Sequence, residues 1–105
     1  MSLAQRASEG AAAQLRWLDR TTGDLQDYVL AVGETQQMGP LSVTLHGCRY
    51  PEGQISRDAF AHLQINDHLR SDADFAGWMV ASSPGLNALQ HPRYDVWVIR
   101  CRTAP

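Results

Sequence analysis

Ser82, Ser83, His91 and Asp95 lie in one C-terminal stretch and have the residue types of a nucleophile, a general base and an orienting acid. Their flanks lack the Gly-x-Ser-x-Gly turn that presents a nucleophilic serine. Ordinary roles account for each of them. Ser83 can cap a turn, His91-Pro92 can end it, and Asp95 can open a strand or bind a backbone amide. A hydrolase using Ser82 or Ser83 with His91 is therefore the weakest functional reading, and no catalytic residue is assigned. His46, His62, His68 and His91 are the metal-ligand types available. His46 and His62 fall on the polar faces of neighbouring predicted strands, set opposite each other by a loop centred near Gln54. Two ligands fall short of a structural zinc site, which takes four, so no metal and no cofactor is expected.

Three tryptophans, Trp17, Trp78 and Trp97, are many for so short a chain. Aromatic rings bind sugars and anchor interfaces, and they also fill cores. Core packing is expected for Trp97, which sits in the most apolar segment. Trp78 lies beside Gly77 and just before a Pro-Gly turn. An exposed Trp78 would make Phe75–Leu89 an apolar patch in need of a partner. The candidate interface is Trp78, Met79, Pro84, Leu86, Leu89 and His91.

The chain around these residues has 105 positions and 44% hydrophobic residues, enough for one domain with a small core. Its net charge is −2, and all nine bases are arginine. Without a basic cluster it is a poor nucleic-acid binder, because phosphate contacts need concentrated positive charge. No apolar run approaches a membrane span. The Ala-rich, polar opening lacks the apolar stretch of a secretory leader. The chain is either cytosolic or a mature form whose leader has been removed.

Alternation and punctuation point to strands throughout. Residues 1–12 read as a disordered lead and 13–105 as one domain. Strands at about 14–20 and Leu25–Val32 flank the turn Thr21–Asp24 as a hairpin. A short extended piece is placed at Thr35–Met38. Leu41–Tyr50 alternates with Leu41, Val43 and Leu45 on one face. Strict parity puts Cys48 on the other face, with His46, unless Gly47 marks a bulge. Ala61, Leu63 and Ile65 face inward from a strand at Ala59–Asp67. His68–Asp74 reads as a charged loop, and Phe75–Ser82 as an apolar run in which Gly77 signals a bulge or close backbone approach. Ser83–Gln90 has the signals of one helical turn. Tyr94–Arg102 is apolar on both faces and is placed centrally. The expected fold is all-β: a small antiparallel sandwich or barrel of six to seven short strands, with one helical turn near 83–90.

Cys48 and Cys101 are too far apart for a CxxC motif. Spacing alone leaves both a disulfide and a pair of reduced core cysteines open.

The string FAGWMVASSPGLNALQHPRYDVWVIRC over residues 75–101 resembles the bacterial family catalogued as domain of unknown function 2155. The resemblance rests on Gly77-Trp78-Met79, Ser82-Ser83-Pro84, Leu86-Asn87-Ala88-Leu89, His91-Pro92-Arg93-Tyr94-Asp95-Val96-Trp97 and Cys101. Leu18–Gly23, Gly33-Glu34-Thr35, Gly39-Pro40-Leu41 and Cys48 extend it to about residues 15–102. It implies an alphaproteobacterial protein usually made with a signal peptide, hence periplasmic. In that oxidising compartment Cys48 and Cys101 are expected to pair. The family is uncharacterised and supplies no activity. The leading expectation is an interaction or structural module of the cell envelope, with an unidentified protein partner in a larger envelope or respiratory assembly. The alternative is a β domain that binds a small ligand in an aromatic cleft.

Overall fold

The computed structural model describes residues 7–104, with residues 71–73 described by their backbone alone. Eight strands are present among the described residues, all paired antiparallel: β1 Ala7–Glu9, β2 Ala12–Asp19, β3 Leu25–Ala31, β4 Thr35–Met38, β5 Leu41–Pro51, β6 Phe60–Asp67, β7 Arg70–Val80 and β8 Tyr94–Arg102. The larger sheet runs β1-β5-β6-β7, with β4 also on β5. The smaller runs β3-β2-β8. The two face each other across one core, as the alternating patterns require. Leu15, Trp17, Leu30, Val96 and Val98 enter from the smaller sheet. Met38, Leu41, Val43, Leu45, Leu63, Ile65 and Met79 enter from the larger.

The chain crosses between sheets at Gly10-Ala11. The Gly10 amide donates to the Cys48 carbonyl (2.7 Å) and the Ala11 amide to that of Arg102 (2.8 Å), so one step of backbone ties both sheets. Beside it Cys48 and Cys101 form a disulfide from β5 to β8, with Cα atoms 5.8 Å apart. Both half-cystines face inward only because of a bulge. In β5 the register shifts between Leu45 and Gly47, skipping His46, and Cys48 joins the buried set of Leu41, Val43 and Leu45. In β8 it shifts opposite Gln14/Leu15, skipping Ile99, and Cys101 follows Val96 and Val98. An extra residue in one strand of a pair flips the parity of everything after it.

Several expectations are corrected. Residues 7–9 of the expected disordered lead pair with β5, and residue 12 opens β2, while the first six residues lie outside the described ones. The charged loop at 68–74 is a tight turn at His68-Leu69 followed by the start of β7. The Leu69 amide donates to Asp67 Oδ1 (2.8 Å), an Asx turn that reverses the chain at once. β7 is an edge strand, where charge guards against pairing with another chain. There is no helix at 83–90. Leu86 N–H donates to the Ser83 carbonyl (3.0 Å), closing a single turn, and Leu89 then inserts into the core at 3% exposure. One such turn has no helix to propagate into, and nucleation alone is unfavourable. β8 is not central: it is an edge of the smaller sheet, and β2 lies in the middle. Trp97 points away from the core and is half-buried, whereas Trp17 is the tryptophan packed inside, stacked on Tyr94 at 5.6 Å.

Candidate functional site

The serine, histidine and aspartate types of the C-terminal stretch are held apart, each by a different partner. Ser82 Oγ donates to Asp58 Oδ2 (2.7 Å) and its amide to Asp58 Oδ1 (3.0 Å). His91 is buried at 8% exposure. Its Nδ1 accepts from the amides of Arg93 (3.0 Å) and Tyr94 (3.1 Å), which puts the ring hydrogen on Nε2, donated to Asp67 Oδ2 at 2.7 Å. Both ring nitrogens are occupied, so neither is left to take a proton from a serine. Asp95 pairs with Arg20 (3.3 Å) and accepts from the Val96 amide (2.9 Å).

His91 instead belongs to a latch between the sheets. Asp67 ends β6, and His91 leads into β8. Burial pushes the Asp67 carboxyl up, but hydrogen bonds from His91 and the Leu69 amide, with the attraction of Arg70, outweigh it and hold the group below the usual carboxylate range. Next to it Arg93 grips Asp19 through two hydrogen bonds (3.0 and 2.9 Å), and Arg20 donates to the His91 carbonyl (2.6 Å). The Arg93 hydrogen bond, opposed by burial and helped by the Thr21 and Thr22 amides, lowers Asp19 to about 2. Sequence reasoning missed Asp19 and Asp67. Each directly precedes a turn, and that position was the available signal.

The outer face of the larger sheet carries a different constellation. The bulge residue His46 lies beside His62 of β6 (ring centroids 5.3 Å), and His62 stacks on Trp78 of β7 (4.9 Å, planes 18° apart). The indole reaches across β6 to Gly47 of β5, where a Cβ would sit 3.8 Å from it. The Arg49 guanidinium lies 5.1 Å from the indole centroid. Together with Ala7 and Phe60, Trp78 and Arg49 line an open cleft of about 290 Å³. His46 Nε2 is 3.2 Å from Gln64 Oε1, and His68 contacts Ser42 (2.7 Å) and Gln37 (3.2 Å) along the same face. Trp78 is 37% exposed. The Asn87 amide holds it in place by donating to its carbonyl (2.8 Å), and Gly77 leaves room for that approach, since a Cβ there would meet Asn87 Nδ2 at 3.0 Å. His46 and His62 do meet, as expected, yet no group of three or more metal-binding side chains occurs among the described residues.

The expected docking set divides. Met79, Leu89 and His91 are buried inside the chain, which removes them as surface groups. Trp78, Pro84 and the 75% exposed Leu86 remain accessible.

A family model described as "Uncharacterized protein conserved in bacteria (DUF2155)" matches residues 13–101. The chain belongs to this family. A relative from Rickettsia prowazekii (strain Madrid E), described as "Uncharacterized protein RP359", is 28% identical over 88 residues. The match covers 80% of this chain and 56% of that protein, so the chain spans little more than half the relative's length. No solved structure matches significantly. In this DUF2155 domain the family-like residues Gly77, Asn87 and His91 serve the scaffold, while Trp78 opens onto the cleft. No helix among the described residues is long and apolar enough to cross a membrane.

Proposed function

We propose that this DUF2155 domain is a non-catalytic binding module of an exported cell-envelope protein, and that it binds through the outer face of its larger sheet at Trp78. The cleft walled by Trp78, Arg49 and Phe60 carries this reading, because it joins an accessible aromatic ring to a cation on a rigid sheet. The Cys48–Cys101 disulfide supports a periplasmic location, since such bonds persist in oxidising compartments. Immobilised domain incubated with solubilised envelope from its host should retain material that Trp78→Ala loses by about tenfold, the cost of removing one aromatic anchor. Val29→Ser, on the opposite sheet, should retain it. Equal recovery with Trp78→Ala refutes the reading.

A second reading places protein docking, to a larger envelope or respiratory assembly, at the turn carrying Pro84 and Leu86. The exposure of Leu86 favours it. Leu86→Ser would then lose the retained material while Trp78→Ala kept it.

A further inference from the structure

We infer that the Trp78 cleft takes a sugar ring of an acidic oligosaccharide, with a ligand carboxylate on Arg49; this rests on the binding role proposed above. The cleft lies on the outer face of the larger sheet, crossing from Ala7 of β1 over Arg49 of β5 and Phe60 of β6 to Trp78 of β7. A peptide adding a strand would pair along the β1 or β7 edge, whereas a ligand seated on this face meets side chains. Those present are flat and amphipathic: the Trp78 indole, the stacked His62 imidazole, and His46 with Gln64 beyond them. His62 stacks on the indole and the Arg49 guanidinium lies over it, so a pyranose, with its apolar C–H faces and rim of hydroxyls, meets the ring as Arg49 swings from the indole onto the ligand carboxylate. At about 290 Å³ the cleft is at the lower limit for small-molecule sites, sized for one ring, and a second sugar would continue along β6 toward His62 and His46.

Arg49 supplies the charge preference. Its guanidinium is 53% exposed, and its carboxylate partner Glu9 is 3.9 Å away and 80% exposed. So loose a surface pair yields readily to a ligand carboxylate that can meet the guanidinium fork with two hydrogen bonds.

The test is an NMR titration of the isotope-labelled domain with two probes. One is the disaccharide N-acetylglucosaminyl-N-acetylmuramic acid, which carries a carboxylate; the other is N,N′-diacetylchitobiose, its neutral counterpart. Both should move the Trp78 indole N–H and the amides of Gly47 and His62. The acidic sugar should bind tighter by up to roughly fivefold, the worth of one exposed ion pair. Arg49→Gln should erase that difference, bringing the two sugars to equal affinity. Trp78→Ala should abolish both responses, with Trp78→Phe used if the alanine variant loses its amide dispersion. An unmoved Trp78 indole signal, or a preference that survives Arg49→Gln, overturns the inference. If the sugars fail but envelope material is still retained in a Trp78-dependent way, the ligand class is wrong and the binding face stands. If both fail, the binding role falls with it.

Discussion

Removing the Cys48–Cys101 bridge should cost this domain about 4 kcal/mol. The two residues are 53 apart in sequence, and closing a loop of that length removes about 14 cal/mol/K of entropy from the unfolded chain, or about 4 kcal/mol at 25 °C. A domain of this size is stable by only roughly 5–10 kcal/mol, so the bridge accounts for a large share. Both cysteines are 1% exposed, and deleting their sulfurs would also cost packing. Reduced wild type therefore serves beside the Cys48→Ala/Cys101→Ala variant, to separate the cross-link from the buried atoms. Urea unfolding of the three forms is the assay. The midpoint should fall and m should rise in both unbridged forms, because their denatured chains expand further. In thermal scans the fall should be roughly 15–30 °C. A stability loss below about 1 kcal/mol would refute the entropic reasoning, and two alkylatable thiols in native, unreduced protein would refute the bridge itself.

The latch yields two further predictions and the Gly39 turn a third. His91→Ala leaves the buried Asp67 carboxylate and the Arg93 and Tyr94 amides without their ring partner, and should destabilise by about 3 kcal/mol or more in denaturant melts; a loss under about 1 kcal/mol would deny the latch its role. Asp19, at about 2, and Asp67, also lowered, bind protons more weakly folded than unfolded. Their contribution is thus complete above about pH 5 and lost as pH falls toward 2; melting temperatures across that range should decline, and Asp19→Asn should flatten the decline. Gly39 has φ +60°, and a Cβ there would lie 3.0 Å from the Trp17 ring. Gly39→Ala should cost about 1–3 kcal/mol, and an unchanged melting temperature would show that the Pro40 turn relaxes freely.

Much of the fold was legible in local pattern. The hairpin around Thr21–Asp24, the short strand at 35–38 and the inward sets Leu41/Val43/Leu45 and Ala61/Leu63/Ile65 follow from period-two alternation and turn residues. Gly77 signalled a close approach and has one, from Asn87. Gly47 flagged the bulge that turns Cys48 inward. What failed was whatever depended on neighbours distant in sequence. Tyr94–Arg102 is apolar on both faces like a central strand, yet it lies at an edge with Trp97 on its outer side. The Arg70–Asp74 charges suggest a loop, yet pairing with β6 draws Arg70 into β7. Phe75–Leu89 reads as one apolar patch, yet Met79 and Leu89 turn into the core while Trp78 and Leu86 turn out.

By itself the sequence determined the all-β class, most strand positions, the inward faces and the family, because side-chain alternation and turn chemistry act over a few residues. Only the tertiary structure decided which strand is an edge, that two separate bulges aim both cysteines at each other, that His91 meets Asp67 and not a serine, and that His46, His62, Trp78 and Arg49 share one face. The reason is physical. Each of these depends on strand order and register, which are settled by the joint burial of surfaces contributed from across the whole chain and by no short segment of it.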